Sequence, residues 1–258
     1  MVTATFRFYD ELNDFLARER RGHAFSTPCA RAATTKHMIE ALGVPHTEVE
    51  LILVNGESSG LERMLDDGDR VAVYPRFTHI DVAPLVRLRL QPPGRLRFVA
   101  DAHLGGLARL LRMAGFDTIY SNSIDDGEIE AHAMDEDRIV LTRDRDLLKR
   151  RGVEYGCYVR ALHSQEQLSE VIARYGLAER ARPFTLCLHC NAPLRSVPKD
   201  AVLERLPPAV RDTQDTFSTC DVCRRVFWKG SHWKRMAAML DAAIVLDDAP
   251  DEVADEHP

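Results

Sequence analysis

Four cysteines in two closely spaced pairs are the residues of this sequence whose chemistry is easiest to predict. They are Cys187 with Cys190 and Cys220 with Cys223, and two residues separate the members of each pair. A C-x-x-C turn presents two thiolates to one metal ion, and four sulfur ligands in a tetrahedral site favour Zn²⁺. Because four thiolates leave no open position for water or substrate, the spacing predicts a structural zinc ribbon.

Two other interpretations of the cysteines remain open from the spacing. The pairs could form two disulfides, but the N-terminal segment has no secretory signal pattern, so we expect a reducing compartment. His189 lies inside the first pair and could replace a thiolate, although a supporting or surface position is the better expectation. Cys29 and Cys157 have no paired spacing and are predicted to be small core residues.

Carboxylates at predicted strand ends are the second group of residues that could do chemistry. Asp101 follows one predicted strand, Asp144 and Asp146 follow another, and Asp126 begins the helix between them. Ligands of parallel sheets bind beyond the carboxyl ends of the strands. Carboxylates that met there would repel one another unless a cation neutralised them, and Mg²⁺ or Mn²⁺ prefers such oxygen ligands. The expected chemistry is phosphodiester hydrolysis, in which two ions about 3.5–4 Å apart stabilise the attacking and leaving oxygens.

Helix capping is the simpler explanation of the same carboxylates, since Asp or Ser after a strand commonly caps the next helix. A D-x-D pair also occurs in phosphatases that use an Asp nucleophile, but the residues after Asp146 do not continue in that pattern. From the residue order alone, a metal site and a set of caps are equally acceptable.

Two patterns of strands and helices position these groups. Residues 1–80 read as strand, strand, helix, strand, strand, with the last strand at Arg70–Tyr74. Residues 96–180 alternate strands with helices, which predicts a parallel sheet with right-handed crossovers. The last of these helices is predicted at Ser164–Tyr175, with Ser164 and Gln167 as a capping box.

Three further segments complete the predicted organisation, and their composition assigns them. They are a Pro-containing linker at residues 81–95, the zinc ribbon with a following helix at 181–240, and an acidic tail at 241–258 that is expected to be disordered.

The charge of the chain does not exclude nucleic acid as a partner. The formal net charge is -6, but the tail holds seven of the 40 acidic residues and no Lys or Arg, which leaves 34 basic and 33 acidic residues elsewhere. With 45% hydrophobic and 29% charged residues, and no apolar run long enough to span a bilayer, a cytoplasmic protein of several domains is expected.

Basic and aromatic side chains lie near both predicted metal sites. Arg143 and Arg145 neighbour the carboxylates, and Arg109 and Arg112 are three residues apart on one predicted helix. The predicted RNA contacts after the last cysteine are Lys229, His232, Trp233 and Lys234. Phosphate contact combined with stacking is typical of single-stranded RNA binding. A solvated helix face explains Arg109 and Arg112 equally well, and Trp228 is better explained as ribbon core.

The first 80 residues resemble the ubiquitin-like β-grasp of small sulfur-carrier proteins through the stretches LILVNGE and LDDGDRVAVYP. Those carriers end in a Gly-Gly that is activated. Here the corresponding residues, Tyr74 to Phe77, continue into further chain, so the resemblance implies the fold without the carrier chemistry. Docking of an unidentified protein partner is the expected role.

The stretches FVADAHLGGLARLLRMAGFDT, DDGEIEAHA and RIVLTRDRDLLKRRG resemble the PIN-like ribonuclease domain named for the C-terminal part of the Mut-seven exonuclease. The similarity continues through LCLHCNAPLRSVPKD and CDVCRRVFWKGSHWKRM, and bacterial members often carry the same N-terminal domain. The resemblance implies metal ligands at Asp101, Asp126, Asp144 and Asp146. Gly106, Leu110 and Arg224 depart from the family pattern, which commonly has Lys, Trp and Gly there.

These observations predict an α/β fold: a PIN-like parallel-sheet domain, preceded by an α+β ubiquitin-like β-grasp domain and followed by a zinc ribbon. The predicted function is Mg²⁺- or Mn²⁺-dependent hydrolysis of RNA, with structural zinc in a ribbon that helps to bind RNA. A non-catalytic RNA- or ribosome-associated binding protein is the main alternative. A toxin-like enzyme acting on structured RNA such as tRNA is the third.

Overall fold

The computed structural model describes residues 2–77, 85, 88 and 94–245, with the side chains of His232 and of residues 241–245 excepted. Most of the predicted linker and most of the predicted acidic tail lie outside the described residues. The chain divides into two compact units, which consist of residues 1–99 with 125–158 and of residues 100–124 with 159–258.

The N-terminal region is a five-stranded sheet with one helix, and four of its strands and the helix are predicted by the sequence. Its elements are β1 (Val2–Phe8), β2 (Phe25–Cys29), α1 (Thr35–Ala41), β3 (Leu51–Val54), β4 (Glu57–Ser59) and β5 (Arg70–Tyr74). The strand order is β2-β1-β5-β3-β4, in which β1 and β5 are parallel and the other pairs are antiparallel. The ubiquitin-like β-grasp prediction is therefore confirmed, although β4 was not predicted.

Alternation along β1 explains why this sheet covers a core. Ala4, Phe6 and Phe8 are buried, whereas the intervening Arg7 is exposed. The helix α1 begins at the cap that the sequence indicates, since the Thr34 hydroxyl accepts the N–H of His37. The buried side chains of the sheet and the helix form one hydrophobic cluster.

The following region alternates strands and helices. Its elements are β6 (Phe98–Ala100), α2 (Gly105–Met113), β7 (Thr118–Ile119), α3 (Asp126–Glu136), β8 (Ile139–Thr142), β9 (Gly156–Tyr158) and α4 (Ser164–Tyr175). The strand order of the four-stranded sheet is β7-β6-β8-β9. Strands β8 and β9 are parallel, and Thr142 lies opposite Tyr158. The predicted parallel sheet is confirmed.

Two helix starts differ from the sequence interpretation. The capping box lies at Asp125 and Glu128, so Asp125 caps α3 and the predicted metal ligand Asp126 does not. The predicted box at Ser164 is wrong: α4 is preceded by His163, and no side chain caps it. Ser164 occupies the first helical position, where its hydroxyl has no such role.

The C-terminal region is a small three-stranded sheet followed by a helix. Its elements are β10 (Leu194–Val197), α5 (Pro208–Arg211), β11 (Phe217–Cys220), β12 (Val226–Trp228) and α6 (Ser231–Val245). The order β10-β11-β12 is antiparallel throughout. Trp228 packs against the buried cluster of this sheet, as predicted. Within the described residues, no helix is both long and apolar enough to cross a membrane.

Candidate functional site

The four paired cysteines meet at one point. The Sγ atoms of Cys187 and Cys223 are 3.6 Å apart, those of Cys190 and Cys220 are 3.4 Å apart, and all four lie within 4.8 Å of one another. A disulfide requires about 2.05 Å, and the cysteines are free thiols. A tetrahedron with metal–sulfur bonds of about 2.3 Å has sulfur atoms about 3.8 Å apart. The donor set and its spacing therefore fit a zinc ion better than two disulfides.

The backbone shows why this spacing works. In the first knuckle the N–H of Asn191 donates to the carbonyl of Cys187 (2.9 Å), and in the second the N–H of Arg224 donates to Cys220 (2.9 Å). Asn191 and Arg224, each directly after the second cysteine, have left-handed φ angles of 66° and 62°. The two knuckles thus share one turn geometry, a left-handed backbone that Gly adopts more readily than Arg or Asn.

The cysteines of the cluster differ in their pKa values. Burial raises the pKa of the Cys187 thiol to about 12. At Cys220 burial acts in the same direction, but hydrogen bonds from the Cys223 and Val222 backbone and from the Cys190 side chain outweigh it and lower the pKa to about 7. A metal ligand must be the thiolate, so the charge of the cation has to deprotonate Cys187.

A groove of about 1290 Å³ lies beside this cluster in the second unit. Four of the eight predicted RNA contacts line it, namely Arg109, Arg112, Lys229 and Trp233. The other lining residues include the aromatic side chains of Tyr120, Phe184 and Phe227, together with Asn122 and Arg225. Residues from α2, the segment after β7, the ribbon and α6 therefore form one basic and aromatic surface.

Trp233 contacts an aromatic ring and a cation that also line the groove. Its ring lies 4.8 Å from the ring of Phe184, centroid to centroid, and the Lys229 ammonium lies 5.2 Å from its centroid. Phe184 has a left-handed φ of 61°, which is uncommon for an aromatic residue, and its N–H donates to Met113. Backbone strain of this kind is concentrated at functional sites, so the position of this ring is a candidate feature of the groove.

Arg112 lines the groove but is only 5% exposed. Its Nε donates to the Thr118 carbonyl (2.9 Å), and its Nη1 donates to the His189 carbonyl (2.9 Å). Burial lowers the pKa of this guanidinium, and the sulfur atoms of Cys187 and Cys190 act in the opposite direction. The side chain thus ties α2 to the first knuckle and places a buried positive charge beside the thiolates.

Two predicted carboxylate ligands of the first unit pair with basic side chains. Asp126 accepts from Arg150 (2.9 Å), which also bonds Glu130 (3.2 Å). Asp146 accepts from Lys149 (2.8 Å), and this hydrogen bond lowers the pKa of the Asp146 carboxyl. The carboxylates remain accessible, because the Asp126 side chain is 48% exposed and that of Asp146 is 87% exposed.

Asp144 has a local structural contact. Its Oδ1 accepts the N–H of Asp146 (2.8 Å), and its own N–H donates to the Thr142 hydroxyl (2.9 Å). Asp101, in the second unit, directly follows β6 and makes no side-chain capping bond to the short 3-10 helix after it. Capping therefore does not account for Asp101 or Asp126, whereas a turn-forming role does account in part for Asp144.

Among the residues that the structure describes, the thiolate cluster is the one group of three or more His, Cys, Asp or Glu side chains close enough to share a metal ion. The four predicted catalytic carboxylates therefore stay a prediction. Arg143 and Arg145 are exposed, and Arg145 donates to the carbonyl of Phe15 (3.3 Å). Lys234 is exposed on α6, and the side chain of His232 lies outside the described residues.

Sequence reasoning missed several residues of the groove. Tyr120, Asn122 and Phe184 carry no local motif and come close to the ribbon only through folding. One signal was available, since the sequence Pro183-Phe184 places an aromatic ring in a loop directly before the first knuckle.

Comparison with known proteins gives two family matches. The family described as Mut7-C RNAse domain matches residues 96–240, and the one described as Mut7-C ubiquitin matches residues 1–81. None of the curated proteins compared with the chain matches it significantly.

Two solved structures of a small protein are similar to part of the chain. The small archaeal modifier protein 1 of H. volcanii has 17% identity and a TM-score of 0.25, with 30% of this chain and all of that chain covered. The SAMP1 protein of Haloferax volcanii has 18% identity and a TM-score of 0.24, with 30% and 97% covered.

Proposed function

Since the chain belongs to the Mut7-C RNAse domain family, we propose that it hydrolyses RNA phosphodiester bonds with the help of Mg²⁺ or Mn²⁺. The observation that carries the proposal is the extent of the family match. Residues 96–240 exceed half of the chain and include all the predicted carboxylate ligands, all four paired cysteines and all eight predicted RNA contacts. The family match thus spans every residue proposed for metal binding, RNA binding and hydrolysis.

The residues proposed to hold the catalytic cation are Asp101, Asp126, Asp144 and Asp146. When bound, Mg²⁺ or Mn²⁺ would lower the pKa of an attacking water and neutralise charge on the phosphate. The ion pairs at Asp126 and Asp146 involve partly exposed side chains, and solvent-exposed pairs of this kind contribute little to stability. Their loss is therefore a small cost for cation binding, and it releases Arg150 and Lys149 to face the substrate.

The groove of the second unit is the proposed RNA-binding surface. Arg109 and Lys229 are exposed cations that can contact phosphates, and Trp233 with Phe184 offers faces on which unpaired bases stack. Arg112 supports the groove wall, because its donors go to backbone carbonyls. Zinc at the four cysteines would act structurally and fix the strand that leads into Lys229.

A non-catalytic RNA-binding protein is the second candidate. It is favoured by one observation, namely that Asp126 and Asp146 already have cationic partners within the chain. In that case the groove binds RNA, and the carboxylates serve only the structure.

Incubation of the purified protein with labelled total RNA decides between the two. We expect cleavage with Mn²⁺ or Mg²⁺ and none with a chelator that leaves the tightly held zinc in place. RNA that is bound in the groove but remains intact with every divalent cation would establish the binding protein instead.

A further inference from the structure

The ubiquitin-like domain contacts the end of β9 within the first unit. Glu48 lies in a short 3-10 helix, His46–Glu48, and is only 4% exposed. Its carboxylate accepts the backbone N–H of Tyr158, the last residue of β9, at 2.9 Å. A buried carboxylate is costly unless it is well paired, so this bond joins the domain firmly to the strand.

Aromatic packing reinforces this contact. The ring of Phe15 meets the ring of Tyr158 edge to face, with centroids 5.1 Å apart, and Tyr158 packs against the core of the ubiquitin-like sheet. At the start of β9, an added Cβ on Gly156 would lie 3.3 Å from the Thr47 side chain and 2.5 Å from Leu148. Glycine at this position therefore permits the close approach of the 3-10 helix.

The same strand lies next to the loop that carries two of the predicted catalytic carboxylates. Tyr158 is opposite Thr142, the last residue of β8, and the hydroxyl of Thr142 accepts the N–H of Asp144 at 2.9 Å. On the other side of the loop, Arg145 donates to the carbonyl of Phe15 at 3.3 Å. The ubiquitin-like domain thus contacts both the strand beside the loop and the residue between its two carboxylates.

We infer that Glu48 and Phe15 are positioning residues, through which the ubiquitin-like domain holds the Asp144–Asp146 loop in the geometry that binds the catalytic cation. This inference rests on the proposed function and gives the domain a role inside its own chain. A displacement of catalytic groups by a remote change costs up to about a hundredfold in rate. A contact that holds the loop rigidly therefore maintains the rate of hydrolysis.

The test uses the full chain with Glu48→Ala, the conservative Glu48→Gln, and Glu19→Ala as a matched control at an exposed position of the same domain. Glu48→Ala is expected to lower kcat about ten- to a hundredfold with little change of KM for RNA, and to raise the Mn²⁺ concentration needed for half-maximal rate. It is also expected to speed hydrogen exchange about tenfold across residues 144–158. Glu48→Gln keeps an oxygen acceptor for Tyr158 and restores most of both properties.

The exchange measurement keeps the inference separate from the proposed function. Exchange across residues 144–158 that is the same in Glu48→Ala and Glu19→Ala would overturn the positioning role, whatever the activity. An increase in the hydrogen-exchange rate that is spread evenly over β1 to β5, with kcat unchanged, would also overturn the positioning role. Such a result would indicate that Glu48 only stabilises the ubiquitin-like domain. If the wild type cleaves no RNA but exchange rises locally, the proposed ribonuclease fails while the attachment of the loop stands.

Discussion

The thiolate cluster and the set of carboxylates are both predicted metal sites, but their side chains are arranged differently in the structure. All four thiolates lie in one unit and within 4.8 Å of one another, in two knuckles of the same geometry. The carboxylates are divided between the two units: Asp126 and Asp146 form ion pairs, and Asp144 accepts a backbone N–H in its own loop. The ligands of a site built from short turns can be predicted from their spacing in the sequence. The ligands of a site built from strand ends come together only when the sheet forms.

Loss of one thiolate gives the largest effect that we expect. Cys220→Ser removes one of four zinc ligands, and structural zinc contributes about 10–16 kcal/mol in small zinc domains. The variant should release its zinc, which a chromogenic chelator can quantify, and should lose the fold of residues 181–240. The matched control is His189→Ala, an exposed residue inside the first knuckle, which should keep about one zinc per chain. Zinc lost equally from the control would make His189 a ligand.

Removal of one carboxylate charge tests the other side of the comparison. Asp144→Asn keeps an oxygen that can accept the N–H of Asp146, so the turn should persist. Cleavage of RNA should fall at least about a hundredfold, because the cation loses a charged ligand. Without metal, the melting temperature should be unchanged or higher, and Mn²⁺ should raise it less than in the wild type.

The control for this change is Asp135→Asn, an exposed carboxylate on α3 outside the predicted site. It should retain wild-type cleavage and the wild-type response to Mn²⁺. If Asp144→Asn and Asp101→Asn both behave like this control, the carboxylates are not a metal site and the comparison reduces to a single metal centre.

Local signals predicted most of the fold. The strand β5 and the helix α4 have the predicted bounds, and the spacing of the cysteines predicted the thiolate cluster. The errors came where several residues offer the same local chemistry. Asp125 and Asp126 are both good caps, and only the capping box with Glu128 decides that Asp125 is used.

The groove could be predicted only in part, for a physical reason. Lys229 and Trp233 follow a cysteine knuckle, and their interleaved charge and aromatic character identified them. Phe184 and Tyr120 reach the same surface from distant parts of the sequence, and no local spacing encodes that meeting. Arg112 was predicted as a phosphate contact because the sequence does not show its burial. That burial depends on a contact with the first knuckle, which is distant in the sequence.

Smaller effects should separate stacking from charge in the groove. Trp233→Ala removes a stacking face and should weaken RNA binding by about 1–3 kcal/mol with little change in salt dependence. Log affinity falls as log salt concentration rises, and Lys229→Ala should make this slope less steep by about 0.7 for single-stranded RNA. Titrations at several salt concentrations measure both quantities. The comparison variant is Lys234→Ala, on α6 outside the groove lining: an equal slope change there, with none at Lys229, would place the RNA path elsewhere.

The smallest effects that we expect are changes in stability when Gly replaces the left-handed residue of each knuckle. Arg224 and Asn191 share a left-handed backbone, but the Asn191 side chain accepts the N–H of Thr118 and donates to Asp117, whereas the Arg224 side chain is exposed. A left-handed backbone costs a residue with a Cβ about 1–2 kcal/mol, and Gly avoids this cost. Part of the stabilisation is offset because Gly loses more conformational entropy on folding. Arg224→Gly should therefore stabilise the zinc-loaded protein by about 0.5–1 kcal/mol in denaturant titrations. Asn191→Gly should destabilise it by about 1–2 kcal/mol, since two hydrogen bonds are lost. Equal shifts in the two variants would mean that backbone geometry alone governs both knuckles.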